Sequence, residues 1–318
     1  MNSSISNSKP LISVFVICVV GIFCLLAGAS ELFVRIYVLP QDTMARHVSL
    51  FKETNSPYAV FGDSHAARGF NAPAPFVNLA YPEENIHQMA WKAERYLAQV
   101  GTPKQILIQA DPHQFRDYNF EDSLGEYPGQ FSERPASLFL SLSSRYRIQL
   151  SRLWRSFFKN RMQMVSNIEI TSQGSLLSPG DFSSWPELKR QGYLEERVAL
   201  HQPNNKLASS RQAVMYRTIV TNFIKSGAEV CLVVFPTTPA YRAHIASLSQ
   251  TERKAWRDTF DFLEELAQEE GAVFVDHRAA VSDLSLFRDP DHLNKEGAVR
   301  YSPILLESCF GSDPTISA

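Results

Sequence analysis

The chain has 318 residues, 44% of them hydrophobic and 20% charged, with a formal net charge of −2. This composition is ordinary for a globular protein with a sizeable core. The near-neutral charge gives no electrostatic basis for a nucleic-acid partner, and no internal repeat or low-complexity tract stands out.

Residues 11–30 carry no charged side chain. A helix of ~20 residues rising ~1.5 Å each spans a bilayer core of ~30 Å. Apolar character resumes after Glu31, in Leu32-Phe33-Val34 and Ile36-Tyr37-Val38-Leu39. A cleaved signal peptide would use Ala27-Gly28-Ala29 as its cleavage site, whereas the length of the run fits an uncleaved anchor, because signal-peptide apolar regions usually stop at ~15 residues. Lys9 and the α-amino group precede the run, and Glu31 and Arg35 follow it, which places the N-terminus in the cytoplasm by the positive-inside rule. Both readings export the main domain. The expected division is a cytoplasmic tail at 1–10, a transmembrane anchor at 11–33, a juxtamembrane linker or short helix at 34–56, a main domain at 57–308 and a tail at 309–318.

Strand-like and helical runs then alternate. Tyr58-Ala59-Val60-Phe61 and Val77-Asn78-Leu79-Ala80 read as short strands. Residues 84–100 have helical spacing, stopped by Gly101-Thr102-Pro103. Gln105-Ile106-Leu107-Ile108-Gln109 is a third strand, and 228–235 is the clearest strand in the chain, ended by Pro236. An amphipathic helix covers 249–270, with Glu252 placed to support a start at Ser249 or Thr251. Ala272-Val273-Phe274-Val275 is the last strand, and Asn294 can cap a final helix running towards Glu307. Apolar strands separated by helices predict an α/β fold, with a central parallel sheet covered on both faces. Sites in such sheets form at the carboxyl ends of strands. Ser64, Asp111, Asp289 and His292 all follow strand ends, so one sheet edge can gather them.

The alternation breaks down at about 116–210, which is therefore read as an insertion. Within it, residues 145–161 hold six basic side chains and no acid, interleaved with apolar ones. This is either a helix with a solvated basic face or a basic amphipathic surface for lipid headgroups or an anionic glycan. Of the four cysteines, Cys18 and Cys24 lie in the apolar run. Cys231 and Cys309 could be bridged in an exported domain, but separate buried thiols are the plainer expectation. No cysteine or histidine spacing indicates a metal site, and no cofactor is expected.

Two motifs carry chemistry. Gly62-Asp63-Ser64-His65 follows the first strand and leads into a helix. Asp289-Pro290-Asp291-His292-Leu293-Asn294 lies near the end of the chain. A serine hydroxyl needs an adjacent base to act as a nucleophile. His292 would take the proton from Ser64, and Asp289, three residues earlier, would orient the ring. Amide N–H groups at the start of the helix can stabilise an oxyanion. The plain alternatives are an Asp/Ser helix cap and a surface loop of acids, with Asp291 capping the last helix or solvated. His65 could contact substrate or make a local structural hydrogen bond, and Arg68 could hold an anionic group or lie on the helix surface.

Gly62-Asp63-Ser64 after a strand, with Asp289-x-x-His292 near the end, resembles the SGNH (GDSL-type) hydrolase superfamily. The resemblance implies a flavodoxin-like three-layer α/β/α fold over the main domain, with Ser64 as nucleophile and oxyanion donor, His292 as base and Asp289 as its partner. Two of the family's blocks are altered. Asn78-Leu79-Ala80 is followed by Tyr81-Pro82-Glu83-Glu84 without a glycine, leaving the Ala80 or Tyr81 region to supply an N–H. Asp111 stands where an oxyanion-hole asparagine is expected. An ionised carboxylate there would repel an oxyanion, so Asp111 is expected to be protonated, turned away or used otherwise, with Gln109 or His113 donating instead.

The anchor and the degenerate third block look like a subgroup that accompanies membrane-bound O-acyltransferases and modifies polysaccharides. That resemblance implies extracytoplasmic O-acyl transfer, most simply acetyl transfer, from an acyl donor through Ser64 to a glycan acceptor. An esterase or deacetylase with the same residues, and a catalytically weak partner subunit of a membrane O-acyltransferase, are the alternatives.

Overall fold

The computed structural model describes residues 9–39, 42–116, 124, 127, 131, 155, 158–159, 168–204, 207 and 210–311. It divides into two units, one of residues 1–46 with 132–166 and the other of 47–131 with 167–318. In the first unit, helix α1 (Lys9–Phe33) continues into a π-helical turn at Val34–Val38. Residues Ser13–Val38 are long and apolar enough to cross a membrane. Glu31 and Arg35, its two charged side chains, pair with each other at 2.7 Å along one helix face.

The second unit takes its shape from strand runs buried on both faces, which only a doubly covered sheet can accommodate. The strands are β1 (Tyr58–Phe61), β2 (Val77–Asn78), β3 (Gln105–Gln109), β4 (Glu229–Val234) and β5 (Val273–Asp276). All their pairings are parallel, in the order β2-β1-β3-β4-β5. Register runs straight across the centre, with Val60 opposite Leu107 and Leu107 opposite Cys231. The observed β2 is shorter than the run at 77–80, because the Ala80 N–H turns back onto the Asn78 side chain.

Successive side chains of a strand point to opposite faces. Val60, Leu107, Cys231 and Val233 join a core with Ala66, Phe70, Tyr301 and Leu305, which belong to helices α3 (Ser64–Gly69) and α9 (Lys295–Phe310) and the turn after α3. On the other face Phe61 meets Tyr96 at 5.4 Å and Phe223 at 5.2 Å between ring centroids. Those rings come from α4 (Ile86–Val100) and α6 (Arg211–Lys225), and α8 (Gln250–Glu270) packs alongside α6. Local signals set the boundaries: Asn85 with Gln88 and Ser249 with Glu252 close capping boxes on α4 and α8, and Asn294 caps α9. Residues 43–53 form helix α2, where the sequence left a linker or a short helix open.

The insertion is partly built into this frame. Its described residues include a hairpin of Glu169–Ile170 and Leu176–Leu177, and helix α5 (Glu187–Leu200). The remaining helix is α7 (Pro239–Ser247). Nearly all of the basic stretch at 145–161, and the tail from 312, lie outside the described residues.

Cys231 and Cys309 are joined in a disulfide, with Cα atoms 5.6 Å apart. This corrects the expectation of two separate thiols. Cys231 faces the side of the sheet that α9 covers, and Cys309 on the last turn of α9 packs onto it. A bridge with a sequence separation of 78 restricts the unfolded chain strongly. Replacing both cysteines by alanine should therefore cost about 2–4 kcal/mol, read as a lowered denaturant midpoint relative to the oxidised protein.

Candidate active site

Because the sheet is parallel, the carboxyl ends of β1, β3 and β4 open on one edge, and the order reverses between β1 and β3. Gly62 makes the turn out of β1 with φ 154°, and a Cβ there would lie 2.5 Å from the Gln109 Cβ. Only glycine fits such a turn. Asp63 then caps α3 by accepting from the His65 N–H at 3.0 Å, and Ser64 is the first helical residue.

The Ser64 Oγ lies 2.8 Å from His292 Nε2, and His292 Nδ1 lies 2.8 Å from Asp289 Oδ1. The same Asp289 oxygen accepts the backbone N–H groups of Asp291 and His292, at 3.3 and 3.0 Å, and its other oxygen pairs with Arg288 at 3.2 Å. With a carboxylate at Nδ1, the proton is assigned there, and the Nε2 lone pair faces the hydroxyl. The arrangement can deprotonate Ser64 as it attacks a carbonyl carbon.

Asp291 is neither a cap nor solvated, contrary to both sequence readings. It is 1% exposed and lies within 3.1 Å of His65 Nε2, while Arg197 grips both its oxygens at 3.0 and 2.5 Å. On the other side of the His65 ring, Nδ1 stands 3.1 Å from Asp111 Oδ2, in ion-pair contact though out of hydrogen-bond alignment. Burial alone would lower the His65 pKa, but Asp111 and Asp291 outweigh it and raise it to about 10. Asp291 would be pushed up by burial, yet His292, His201, His65 and Arg197 hold it well below the usual carboxylate range. Asp111, His65, Asp291 and Arg197 thus form a buried chain of alternating charge. Asp111 also accepts the Phe235 N–H at 3.0 Å, so it is turned away from an oxyanion position.

Gln109 is committed as well. Its Oε1 accepts the N–H groups of Asp63 and Ala66, at 2.9 and 3.1 Å, and its Nε2 donates to Asp63 at 2.8 Å. His113 Nε2 reaches Asp63 Oδ2 at 2.7 Å. Burial would raise the Asp63 carboxyl, but His113 and His65 hold it low, while burial lowers His113. The Ala80 N–H donates to Asn78 at 3.1 Å and the Tyr81 N–H to the Gly62 carbonyl at 3.1 Å. These amides therefore bind the fold. The loop beyond them is clamped by buried Lys92, which donates to Glu84 at 2.6 Å and to the Leu79 carbonyl. Glu83 adopts φ 65° there, unusual for a side-chain-bearing residue.

Above Ser64 lies a cavity of about 450 Å³, whose lining includes Arg68, Glu83, Arg116, Arg197, His201 and His292. Arg197 and His201 come from the insertion, and nothing in the sequence marked them. One ring nitrogen from each of His65, His113 and His201 lies within 4.8 Å of the other two, close enough to share a metal ion. The bonds already present compete with that: His65 faces two carboxylates, His113 donates to Asp63, and His201 Nδ1 meets the Tyr241 hydroxyl at 2.8 Å.

Removing one member of a buried ion pair leaves the other uncompensated. His65→Ala should therefore destabilise the protein by about 3–5 kcal/mol in denaturant titrations. The raised His65 pKa also fixes a sign. Its stabilisation is complete below the unfolded value near 6.5 and is lost as pH rises towards about 10. Stability should fall across that alkaline window, and His65→Gln should flatten the fall.

No family model matches the chain, and no curated protein does. Among solved structures, phospholipase A1 from Streptomyces albidoflavus NA297 aligns over 79% of this chain and 98% of its own length, at 11% identity and a TM-score of 0.35.

Proposed function

We propose that the chain is a serine-dependent acyl-transfer enzyme. The observation that carries this reading is the pair of 2.8 Å contacts linking Ser64 to His292 and His292 to Asp289. In the first half-reaction Ser64 Oγ attacks the ester carbonyl carbon while His292 Nε2 takes the hydroxyl proton. The tetrahedral intermediate collapses, the ester C–O bond breaks, and the leaving alkoxide receives that proton. In the second, an acceptor hydroxyl passes its proton to His292 as its oxygen attacks the acyl-Ser64 carbon. Ser64 leaves as the hydroxyl, reprotonated by His292. Asp289 orients the ring and offsets its charge throughout.

The finer reading is O-acyl transfer, most simply of acetyl, to a cell-surface or secreted polysaccharide by an SGNH-type domain outside the cytoplasmic membrane. The apolar segment Ser13–Val38 supports a single membrane anchor, and the Cys231–Cys309 disulfide supports an oxidising, extracytoplasmic compartment. The cavity is large enough to receive part of a sugar chain. A membrane-bound O-acyltransferase would supply the acyl group. Two other readings have an observation behind them. Ser64 is partly exposed on a polar cavity, which favours water as acceptor and hence an esterase. The commitment of Gln109, Asp111 and Ala80 to the fold favours a catalytically weak partner subunit.

Incubating the full chain in detergent with an activated acetyl ester separates these readings. Mass spectrometry should find an acetyl adduct on Ser64, absent in Ser64→Ala. His292→Ala should lose nearly all turnover, and Asp289→Asn up to ~10⁴-fold. With excess polysaccharide the acetyl group should appear on the glycan. Release to water alone would establish the esterase, and the absence of both adduct and turnover would leave only the partner subunit.

A further inference from the structure

Arg68 lies one helical turn beyond Ser64 on α3 and lines the same cavity. Residues four apart share a helix face, so the guanidinium and the Ser64 hydroxyl open on one space. Its surroundings differ from those of Arg197. Arg197 is matched by both oxygens of Asp291. The Arg68 Nε is buried without a hydrogen-bond partner, and among the described residues no carboxylate lies within ion-pair distance of Arg68.

The acids nearby are already engaged. Asp63 is bound by Gln109, His113 and the His65 N–H, and Asp289 by His292 and Arg288. Of the cavity lining, Glu83 is the one carboxylate besides Asp63, against three guanidinium groups, Arg68, Arg116 and Arg197. Burial lowers the Arg68 pKa and Arg288 and Arg197 add to the effect, which Asp289 and Asp63, both engaged elsewhere, offset only in part. A desolvated cation among other cations is costly unless an anion joins it. A guanidinium fork matches the paired oxygens of a carboxylate or phosphate.

We propose that the cavity binds an anionic group of the substrate, a carboxylate or a phosphate, with Arg68 as its principal ligand beside Ser64. That the group belongs to the acyl donor or acceptor rests on the acyl-transfer reading. The site itself does not need it, because anion binding requires no nucleophile.

The test uses the full chain in non-ionic detergent at fixed ionic strength, with thermal shift and calorimetry as readouts. The probes are glucuronate for an acidic sugar, inorganic phosphate for a phosphorylated group, and glucose as the neutral control. Glucuronate or phosphate should bind saturably to the wild-type protein and to Ser64→Ala, and glucose should not. Arg68→Gln should weaken that binding by at least about tenfold, and Arg68→Lys should lose less. Preference between the two anions identifies the source. Absence of saturable binding by either anion to the wild-type protein overturns the proposal. So does unchanged affinity in Arg68→Gln, or in Arg68→Lys should the glutamine variant fail to fold by circular dichroism. Arg68-dependent binding with neither an acyl adduct on Ser64 nor ester turnover would remove the acyl-transfer reading alone. An adduct without anion binding would remove only this inference.

Discussion

The buried ion chain Asp111–His65–Asp291–Arg197 is the contact on which the candidate site depends. His65 follows Ser64 in sequence, and Asp291 precedes His292. Clamping His65 to Asp291 at 3.1 Å therefore fixes, one residue away on each strand of the contact, the approach of Ser64 to His292. Those two residues are 228 positions apart. A hydrogen bond between a serine and a neutral imidazole is worth only about 0.5–1.5 kcal/mol and could not hold two loops together alone. The charged contact behind it does the holding, and leaves the hydroxyl and the ring to be tuned for chemistry.

Asp63 plays a parallel part on the other side of Ser64. It is 2% exposed and takes hydrogen bonds from the His65 amide, Gln109 and His113. Gln109 in turn accepts two amides of the β1–α3 turn. Ser64 is thus mounted on a turn whose polar atoms are bonded to the end of β3. Such support preorganises a site, and it explains why the Gln109 amide is turned to Asp63 rather than to an oxyanion.

Much of this was legible in the sequence, and the rest was hidden for physical reasons. Strand runs such as 105–109 and the caps at Asn85, Ser249 and Asn294 are local signals, and the sheet follows from them. The convergence of Ser64, Asp289 and His292 was legible because parallel strands send their carboxyl ends to one edge. Side-chain direction was not. Asp111 reads as an oxyanion-hole residue by position, but its oxygens go to the Phe235 amide and His65. Arg197 reaches Asp291 across 94 residues from a segment without clear periodicity, so no spacing rule could pair them. The Cys231–Cys309 bridge was undetermined for the same reason: buried thiols and a disulfide have the same sequence pattern.

Helix α5 gives the site a division of labour. Ser64, Asp289 and His292 stand on the sheet edge, while Arg197, Leu200 and His201 bring one wall of the cavity from the insertion. Through Asp291 that wall is also the counter-charge of the machinery beneath it. A replacement of the insertion could reshape what the cavity accepts without touching Ser64, Asp289 or His292. It would have to deliver one cation to Asp291 to do so. The shape of the cavity and the alignment of Ser64 with His292 are in that sense separable in this chain, joined at a single guanidinium.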